Sequence, residues 1–408
     1  MQKFIFIICL FCSAGVALAQ VHTPGNTADS AKIIWKQIAP FFEAPAAHKN
    51  DLGHYRSPLR FYDGSMVRTP ADWKKRRAEI LDQWTSMLGK WPPLLKNQQL
   101  KILESIKKDG FTQHKVSFKW LPEEETIGYL LVPEGNGKFP AVVTTFYEPE
   151  TAAGLGTSER TRTKADFAYQ LVKRGFVALS IGTTDATKAL TYSLYYPSIE
   201  KAEVQPLSML AYAAANAWHV LANQPQVDSS RIGVLGFSFG GKWSMFAACL
   251  YEKFACGAWS DAGIVFDEKR PNVNYWEPWY LGYHPKPWRP RGVITDSNHV
   301  YGLYPRLVKE GYDLHELHAL MAPRPFFVSG GAEDSVDRWQ ALNHSVAVNR
   351  LLGFKDRVAM TNDRIEHLPT PLSNERMYQF FEYFLKYNAA AQPKPAGARR
   401  NEKNNKEK

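Results

Sequence analysis

The sequence predicts an α/β fold with a mostly parallel central sheet flanked by helices. Residues 116–120 and 127–132 alternate between apolar and polar side chains, as antiparallel strands do. Short continuous apolar runs then recur with helical stretches between them. Continuous apolar runs are typical of strands buried on both faces, and their alternation with helices is typical of a parallel sheet covered on both sides.

The predicted elements follow in chain order. In the first helix, within 71–88, Ile80, Leu81, Trp84 and Leu88 recur at helical spacing. Further strands are predicted at 139–145, 176–181, 231–236, 326–329 and 357–360, and further helices at 161–173, 206–222, 242–250 and 375–387. The active groups of such sheets lie beyond the carboxyl ends of the strands.

The first 19 residues have the pattern of a secretory signal peptide. Lys3 precedes an apolar run over 4–16, and Ala17-Leu18-Ala19 is a small-x-small cleavage site. We therefore expect cleavage near Ala19 and export to the periplasm or the medium. The alternative, a membrane anchor, is disfavoured because the apolar run is short for a bilayer, and no stable membrane insertion is expected.

Composition divides the rest of the chain into three parts. Residues 20–100 are interpreted as an N-terminal extension packed on a catalytic domain at 101–387, and 388–408 as a disordered basic tail. The tail and Lys3 carry half of the formal charge of +10, leaving about +5 on the body, so no nucleic-acid partner is expected. Cys249 and Cys256, the cysteines outside the signal peptide, could be bonded or free.

A candidate nucleophile stands between a predicted strand and a predicted helix. Gly236-Phe237-Ser238-Phe239-Gly240 is a G-x-S-x-G turn in the strand–turn–helix context that gives the motif its meaning. Such a turn lifts the serine hydroxyl above the sheet at a helix N-terminus, where negative charge is favoured. We therefore predict that Ser238 is a nucleophile.

A nucleophilic serine needs a base and an orienting acid, which follow it in this kind of fold in the order acid, then histidine. Asp334 follows the predicted strand 326–329 and a glycine turn, and is the predicted acid; Glu333 and Asp337 are its rivals. His367 follows the last predicted strand and is the predicted base, with His344 as a weaker rival.

The remaining groups to consider are the donors of an oxyanion hole and the ligands of any metal or cofactor. The oxyanion of a tetrahedral intermediate needs two donors, expected from the backbone N–H of Phe239 and from that of Phe146 or Tyr147. No metal site and no cofactor are expected. Residues 312–318 hold two histidines and two acids but lack the HExxH order, so His315 or Glu316 is expected to have a structural hydrogen-bonding role.

An aromatic-rich stretch at about 262–322 is interpreted as an insertion before the acid-bearing strand, hanging over Ser238. Most of its rings are expected to form the core of a lid, but Trp276 and Trp279 are predicted to contact substrate. Aromatic faces beside polar groups suit sugars, because the ring packs against C–H groups.

From about residue 109 to 387, the chain resembles bacterial α/β-hydrolases of the acetylxylan esterase and dienelactone-hydrolase-like type. Residues 314–325 also resemble the corresponding segment of glucuronoyl esterases, whose nucleophile turn reads serine, arginine, then Gly-Lys. Gly241 and Lys242 match that turn, which implies that Lys242 binds substrate. Phe239 stands where the family has its oxyanion-stabilising arginine.

The resemblance and the motifs together predict an exported serine carboxylic-ester hydrolase that removes acetyl groups from a plant-type polysaccharide or oligosaccharide. A glucuronoyl (uronate) esterase is the first alternative. An exported serine peptidase of the prolyl-oligopeptidase type is the second, and a carbohydrate-binding relative without activity is the third.

Overall fold

A computed structural model describes residues 27–159, 161, 163–271 and 274–387. The predicted signal peptide and basic tail lie outside these residues. The predicted α/β fold is confirmed, because one large mixed sheet lies between helices.

The described residues form a sheet of nine strands in the order β1-β2-β3-β5-β4-β6-β7-β8-β9. Strands β1 to β3, and the β3–β5 pair, are antiparallel, and every pairing from β5 through β4 to β9 is parallel. The strands are β1 Lys101–Lys108, β2 Phe111–Leu121, β3 Glu124–Pro133, β4 Phe139–Phe146, β5 Val177–Gly182, β6 Val227–Phe237, β7 Cys256–Ser260, β8 Phe326–Ser329 and β9 Val358–Thr361.

Helices cover both faces of the sheet. They are α1 Thr27–Ile38, α2 Pro70–Leu88, α3 Pro149–Ala152, α4 Phe167–Lys173, α5 Thr184–Lys188, α6 Pro206–Ala222, α7 Phe239–Leu250, α8 Tyr304–Lys309, α9 His315–Ala319, α10 Trp339–Leu351 and α11 Pro371–Phe381, the last continued by a π-helical turn, Glu382–Tyr387. Helix α2 begins at a capping box, in which the Thr69 hydroxyl accepts from the Asp72 N–H and the Asp72 carboxylate accepts from the Thr69 N–H.

Two strands were not predicted from the sequence. Strand β1 lies at the edge of the sheet with almost every residue exposed, so it lacks the buried face that produces a recognisable pattern. Strand β7 is fully buried but only five residues long. Its Gly257 and Ser260 leave too few apolar residues in a row to indicate a strand. Helix α4 begins at Phe167 rather than 161, and a separate turn, in which Lys164 and Ala165 donate to the Thr161 carbonyl, precedes it.

The insertion supplies core as well as surface. Most of its rings pack internally, as expected, since the following are buried: Tyr275, Trp276, Trp279, Tyr280 and Tyr304. Cys249 and Cys256 are buried free thiols. Within the described ranges, no helix is long and apolar enough to cross a membrane.

A buried polar network joins residues before the sheet to helix α9. The Glu316 carboxylate accepts from Trp84 Nε1 and from the Tyr62 hydroxyl, each at 3.0 Å. Arg76, which is completely buried, lies 3.6 Å from the same carboxylate. His315, next in the chain, contacts the Arg56 carbonyl through Nε2 at 2.6 Å. The structural role expected for His315 or Glu316 is therefore confirmed for both.

We expect Glu316→Ala to lower the free energy of unfolding by roughly 3–5 kcal/mol. The variant leaves the buried Trp84 indole and the half-buried Tyr62 hydroxyl without their acceptor and removes one of the two carboxylates that pair with the buried Arg76. Urea unfolding measures the change. Glu310→Ala is the matched control, because it breaks only an exposed pair with Arg306 and should cost less than about 1 kcal/mol. Equal losses in both variants would contradict a stabilising role for the buried network.

Candidate functional site

The turn that carries Ser238 is sterically tight. Ser238 has φ 56° and ψ −118°, a strained conformation for a residue with a side chain, between the end of β6 and the start of α7. A Cβ on Gly236 would lie 2.1 Å from the Gly240 carbonyl oxygen, and one on Gly240 would lie 1.9 Å from that of Thr145. Gly236 is therefore required by the tightness of the turn itself, and Gly240 by the close approach of the turn to β4.

Three side chains form a continuous hydrogen-bonded chain at the carboxyl ends of the strands. His367 Nε2 lies 2.8 Å from Ser238 Oγ, and His367 Nδ1 lies 2.7 Å from Asp261 Oδ2. Asp261 follows β7 directly and is completely buried. This places a hydroxyl, an imidazole and a carboxylate in the geometry that activates a serine.

The Asp261 carboxylate is held by two further donors. Its Oδ1 accepts from the backbone N–H groups of Glu333 and Asp334, at 2.9 and 3.0 Å. The backbone N–H of Asp261 donates to the Ser329 carbonyl at 2.9 Å. The acid is thus fixed between the ends of β7 and β8, with Oδ2 left for the imidazole.

The prediction that Asp334 is the acid beside His367 is wrong, because the carboxylate that hydrogen-bonds the imidazole belongs to Asp261. The Asp334 carboxylate accepts from the N–H groups of Gly263 and Ile264, at 3.0 and 2.7 Å, and so holds the chain that leaves Asp261. The rival Asp337 pairs with Arg338 instead. Glu333, the other rival, comes within 3.6 Å of His367 Nδ1, beyond a normal hydrogen bond.

Asp261 was missed because strand β7 was not predicted. The visible signal was an acid directly after a short buried run, in Ser260-Asp261-Ala262-Gly263. Parallel neighbours end at the same edge of a sheet, so an acid after β7 can reach the same imidazole as one after β8. The aromatic insertion accordingly follows the acid instead of preceding it.

The loop that carries His367 is anchored by the buried Arg364. Its guanidinium donates to Ser260 Oγ and Ser329 Oγ, each at 2.8 Å, and to the Ser329 carbonyl. These acceptors stand at the last positions of β7 and β8. Arg364 therefore fixes the loop after β9 to the same two strands that hold Asp261. The rival His344 lies elsewhere, in α10, with Nε2 against the Leu52 carbonyl.

Ionisable groups crowd this edge of the sheet, and burial shifts their pKa values. Burial, aided by the negative charge of Asp261, raises the pKa of Asp334 to about 6. Burial also raises the pKa of Glu333, against the opposing effect of Lys242. The pKa of Lys242 is lowered by burial, which outweighs the nearby carboxylates of Glu333, Asp334 and Asp261. The Lys242 ammonium donates to the Ala262 carbonyl at 2.5 Å.

A cavity of about 220 Å³ opens over Ser238 and His367. Aromatic rings and polar side chains line it together: Tyr147, Tyr192, Ser238, Phe239, Lys242, Asn274, Trp279, Tyr280, Arg291, Glu333 and His367. Two of the three predicted substrate-binding residues, Lys242 and Trp279, are among them. Several lining residues come from the insertion, which therefore forms one wall.

Trp276, the third predicted substrate-binding residue, does not line this cavity, so that prediction is wrong. Its ring is fully buried against Tyr304, with 5.8 Å between ring centres, and Nε1 donates to the Gly292 carbonyl at 2.9 Å. Both its apolar face and its donor are used inside the insertion. Trp276 is thus a core residue of the lid.

The three predicted oxyanion-hole residues lie beside the nucleophile. Phe239 opens α7, so its N–H is among those that a helix leaves without an internal partner. The Phe239 ring is buried and stacks on Tyr147 with 4.5 Å between ring centres. Phe146 ends β4 and stacks on Phe237, which leaves Tyr147 as the residue of that loop that lines the cavity.

No protein-family model matches the sequence, and the search of curated proteins finds no match. Solved structures do match. A glucuronoyl esterase from Solibacter usitatus has a TM-score of 0.62 at 16% identity, over 83% of this chain and 98% of its own. A carbohydrate esterase family 15 glucuronoyl esterase from Caldicellulosiruptor kristjansonii has 0.57 at 21%, over 84% and 93%.

A protein from Bacteroides fragilis assigned as an acetyl xylan esterase has a TM-score of 0.51 at 17% identity, over 79% of this chain and 86% of its own. At such identities the likeness shows a common fold. The expected α/β-hydrolase fold is thereby confirmed, over most of the chain.

Replacing Asp334 with Asn should change how stability depends on pH. A carboxyl whose pKa is raised from 3.8 to about 6 by folding loses stabilisation as pH rises through that window. Asn does not ionise, so the free energy of unfolding of Asp334→Asn relative to wild type should increase between about pH 4 and pH 7, by up to about 3 kcal/mol. Urea unfolding at both pH values measures this, and a pH-independent difference would contradict it.

Proposed function

We propose that this protein is an exported serine carboxylic-ester hydrolase of the carbohydrate esterase type. The observation that carries the proposal is the hydrogen-bonded chain from Ser238 through His367 to Asp261, under a cavity lined with aromatic and polar groups. The signal-peptide pattern of residues 1–19 supports export.

In the proposed mechanism, Ser238 Oγ attacks the ester carbonyl while His367 Nε2 removes its proton. The tetrahedral intermediate collapses to an acyl-enzyme, and His367 gives the proton to the leaving alcohol. A water molecule, deprotonated by the same imidazole, then releases the acid and regenerates the serine. Asp261 fixes the imidazole with its proton on Nδ1 and stabilises the imidazolium that forms in each half of the cycle.

The developing oxyanion is assigned to backbone donors. The Phe239 N–H is at the first turn of α7, and the loop after β4 offers the N–H of Tyr147 or of Phe146. Preorganised backbone donors in a water-poor site contribute much of the rate in acyl transfer. This arrangement requires no cationic side chain at position 239, where the chain has a buried phenylalanine.

A carbohydrate ester fits the composition of the cavity. Trp279 and Tyr147 give the cavity aromatic surface for sugar C–H groups, while Lys242 and Asn274 offer donors for hydroxyls. The resemblance to acetylxylan esterases and the fold shared with carbohydrate esterases support acetyl groups on a plant-type polysaccharide as the leading substrate.

A uronate ester is the second candidate. It is favoured by the Gly241-Lys242 match to the glucuronoyl esterase turn, and by structural likeness to enzymes of that name. Phe239 argues against it, because those enzymes are expected to have an arginine there. The peptidase alternative rests on no further observation and is tested by the same substrate panel with a chromogenic peptide added.

Ser238→Ala and Asp261→Asn should each lower kcat for p-nitrophenyl acetate by roughly 10⁴-fold, because one removes the nucleophile and the other misdirects the base. Asp334→Asn should lose far less, since its carboxylate binds backbone N–H groups. Circular dichroism controls for folding. If Asp334→Asn were as inactive as Asp261→Asn while folded, Asp261 would not be the acid.

Wild type should deacetylate xylan and acetylated xylo-oligosaccharides faster than it cleaves a benzyl glucuronate ester. Acetate release and alcohol release, compared as kcat/KM, measure this. Ser238→Ala is the blank for both reactions. Turnover of the glucuronate ester alone would keep the nucleophile and replace the acetyl assignment with the uronate one.

A further inference from the structure

The cavity over Ser238 contains two cationic side chains that differ in their surroundings. Lys242 is buried, donates to the Ala262 carbonyl and lies near the carboxylates of Glu333, Asp334 and Asp261. Arg291 lines the same cavity from the insertion and is exposed. Lys242 is therefore enclosed among protein groups, whereas Arg291 is exposed to solvent at the cavity.

No ion pair joins Arg291 to an acid among the residues that the structure describes. Glu277, an acid of the same insertion as Arg291, is completely buried, and its carboxylate lies 3.3 Å from the Arg289 guanidinium. Glu277 also accepts from the Gly292 N–H. Glu277 therefore hydrogen-bonds inside the insertion and attracts Arg291 only at longer range.

The loop that presents Arg291 is rigidly built. The buried Arg289 guanidinium donates to four carbonyl oxygens of the insertion, those of Gly292, Val293, Asn298 and His299, at 3.0–3.3 Å. The Arg291 guanidinium itself lies over Trp279, 5.8 Å from the ring centre. A cation held on a fixed loop, beside an aromatic face, loses little freedom when it binds an anion.

We propose that Arg291 selects substrates that carry a free carboxylate close to the ester being cleaved, that is, acyl esters on uronate-substituted oligosaccharides. The planar guanidinium matches a carboxylate with two parallel hydrogen bonds, and Trp279 supplies the face for the sugar ring. This inference rests on the proposed esterase function and narrows its substrate class.

Binding gives the first test, in the Ser238→Ala background so that nothing is hydrolysed. The probes are a xylo-oligosaccharide that bears one glucuronate and the same oligosaccharide without it, titrated by calorimetry. The acidic oligosaccharide should bind roughly tenfold or more tightly than the neutral one. Adding Arg291→Gln should abolish that preference, and Arg291→Lys should keep part of it.

Hydrolysis gives the second test. With acetylated forms of the same two oligosaccharides, Arg291→Gln should lower the ratio of kcat/KM, acidic over neutral, by about tenfold or more, mainly through KM. Lys286→Gln is the matched control, because it removes an exposed cation stacked on Trp288 in the same insertion but outside the cavity. Its ratio should equal that of wild type.

The outcomes separate the two proposals. If wild type cleaves acetyl esters but neither binds nor hydrolyses the acidic oligosaccharide preferentially, the role of Arg291 is overturned and the esterase function stands. If Arg291→Gln and Lys286→Gln lower the preference equally, general charge and not Arg291 is responsible, which also overturns it. If wild type hydrolyses no ester, the proposed function fails, and the binding titration still decides whether Arg291 recognises a carboxylate.

Discussion

The Asp261 carboxylate joins the parts of the molecule that must meet for the site to exist. It accepts from the backbone after β8 through one oxygen and meets the His367 imidazole through the other, while its own N–H pairs with Ser329. Three consecutive parallel strands, β7, β8 and β9, are thereby fixed at their carboxyl ends. A charge this deeply buried is tolerated because hydrogen bonds surround it.

Two charged side chains near Asp261 and His367 also hold backbone segments of the site in place. Asp334 holds the backbone that leaves Asp261, and Arg364 holds the loop that leads to His367. These two side chains contact strand ends and backbone instead of the serine. Charged side chains that look equivalent in the sequence therefore divide into those that belong to the hydrogen-bonded chain from Ser238 and those that hold the backbone around it.

The insertion after β7 shapes the cavity in two different ways. Its fully buried rings, such as Trp276, pack in the protein interior. Trp279 and Arg291 line the cavity over Ser238. In the proposed function, the insertion therefore contributes to substrate preference, whereas Ser238, His367 and Asp261 come from the ends of the strands.

The sequence by itself determined the α/β fold, the strained turn at Ser238 and the place of His367, because each leaves a local pattern: apolar runs, glycines at fixed offsets, a histidine after the last strand. Tertiary structure decided between Asp261 and Asp334 and between Trp276 and Trp279. Each pair consists of the same residue type in a similar setting, and what separates its members is which strand ends lie side by side and which ring finds a buried partner. Such contacts join residues up to about a hundred positions apart, as Asp261 and His367 are. No local pattern records them.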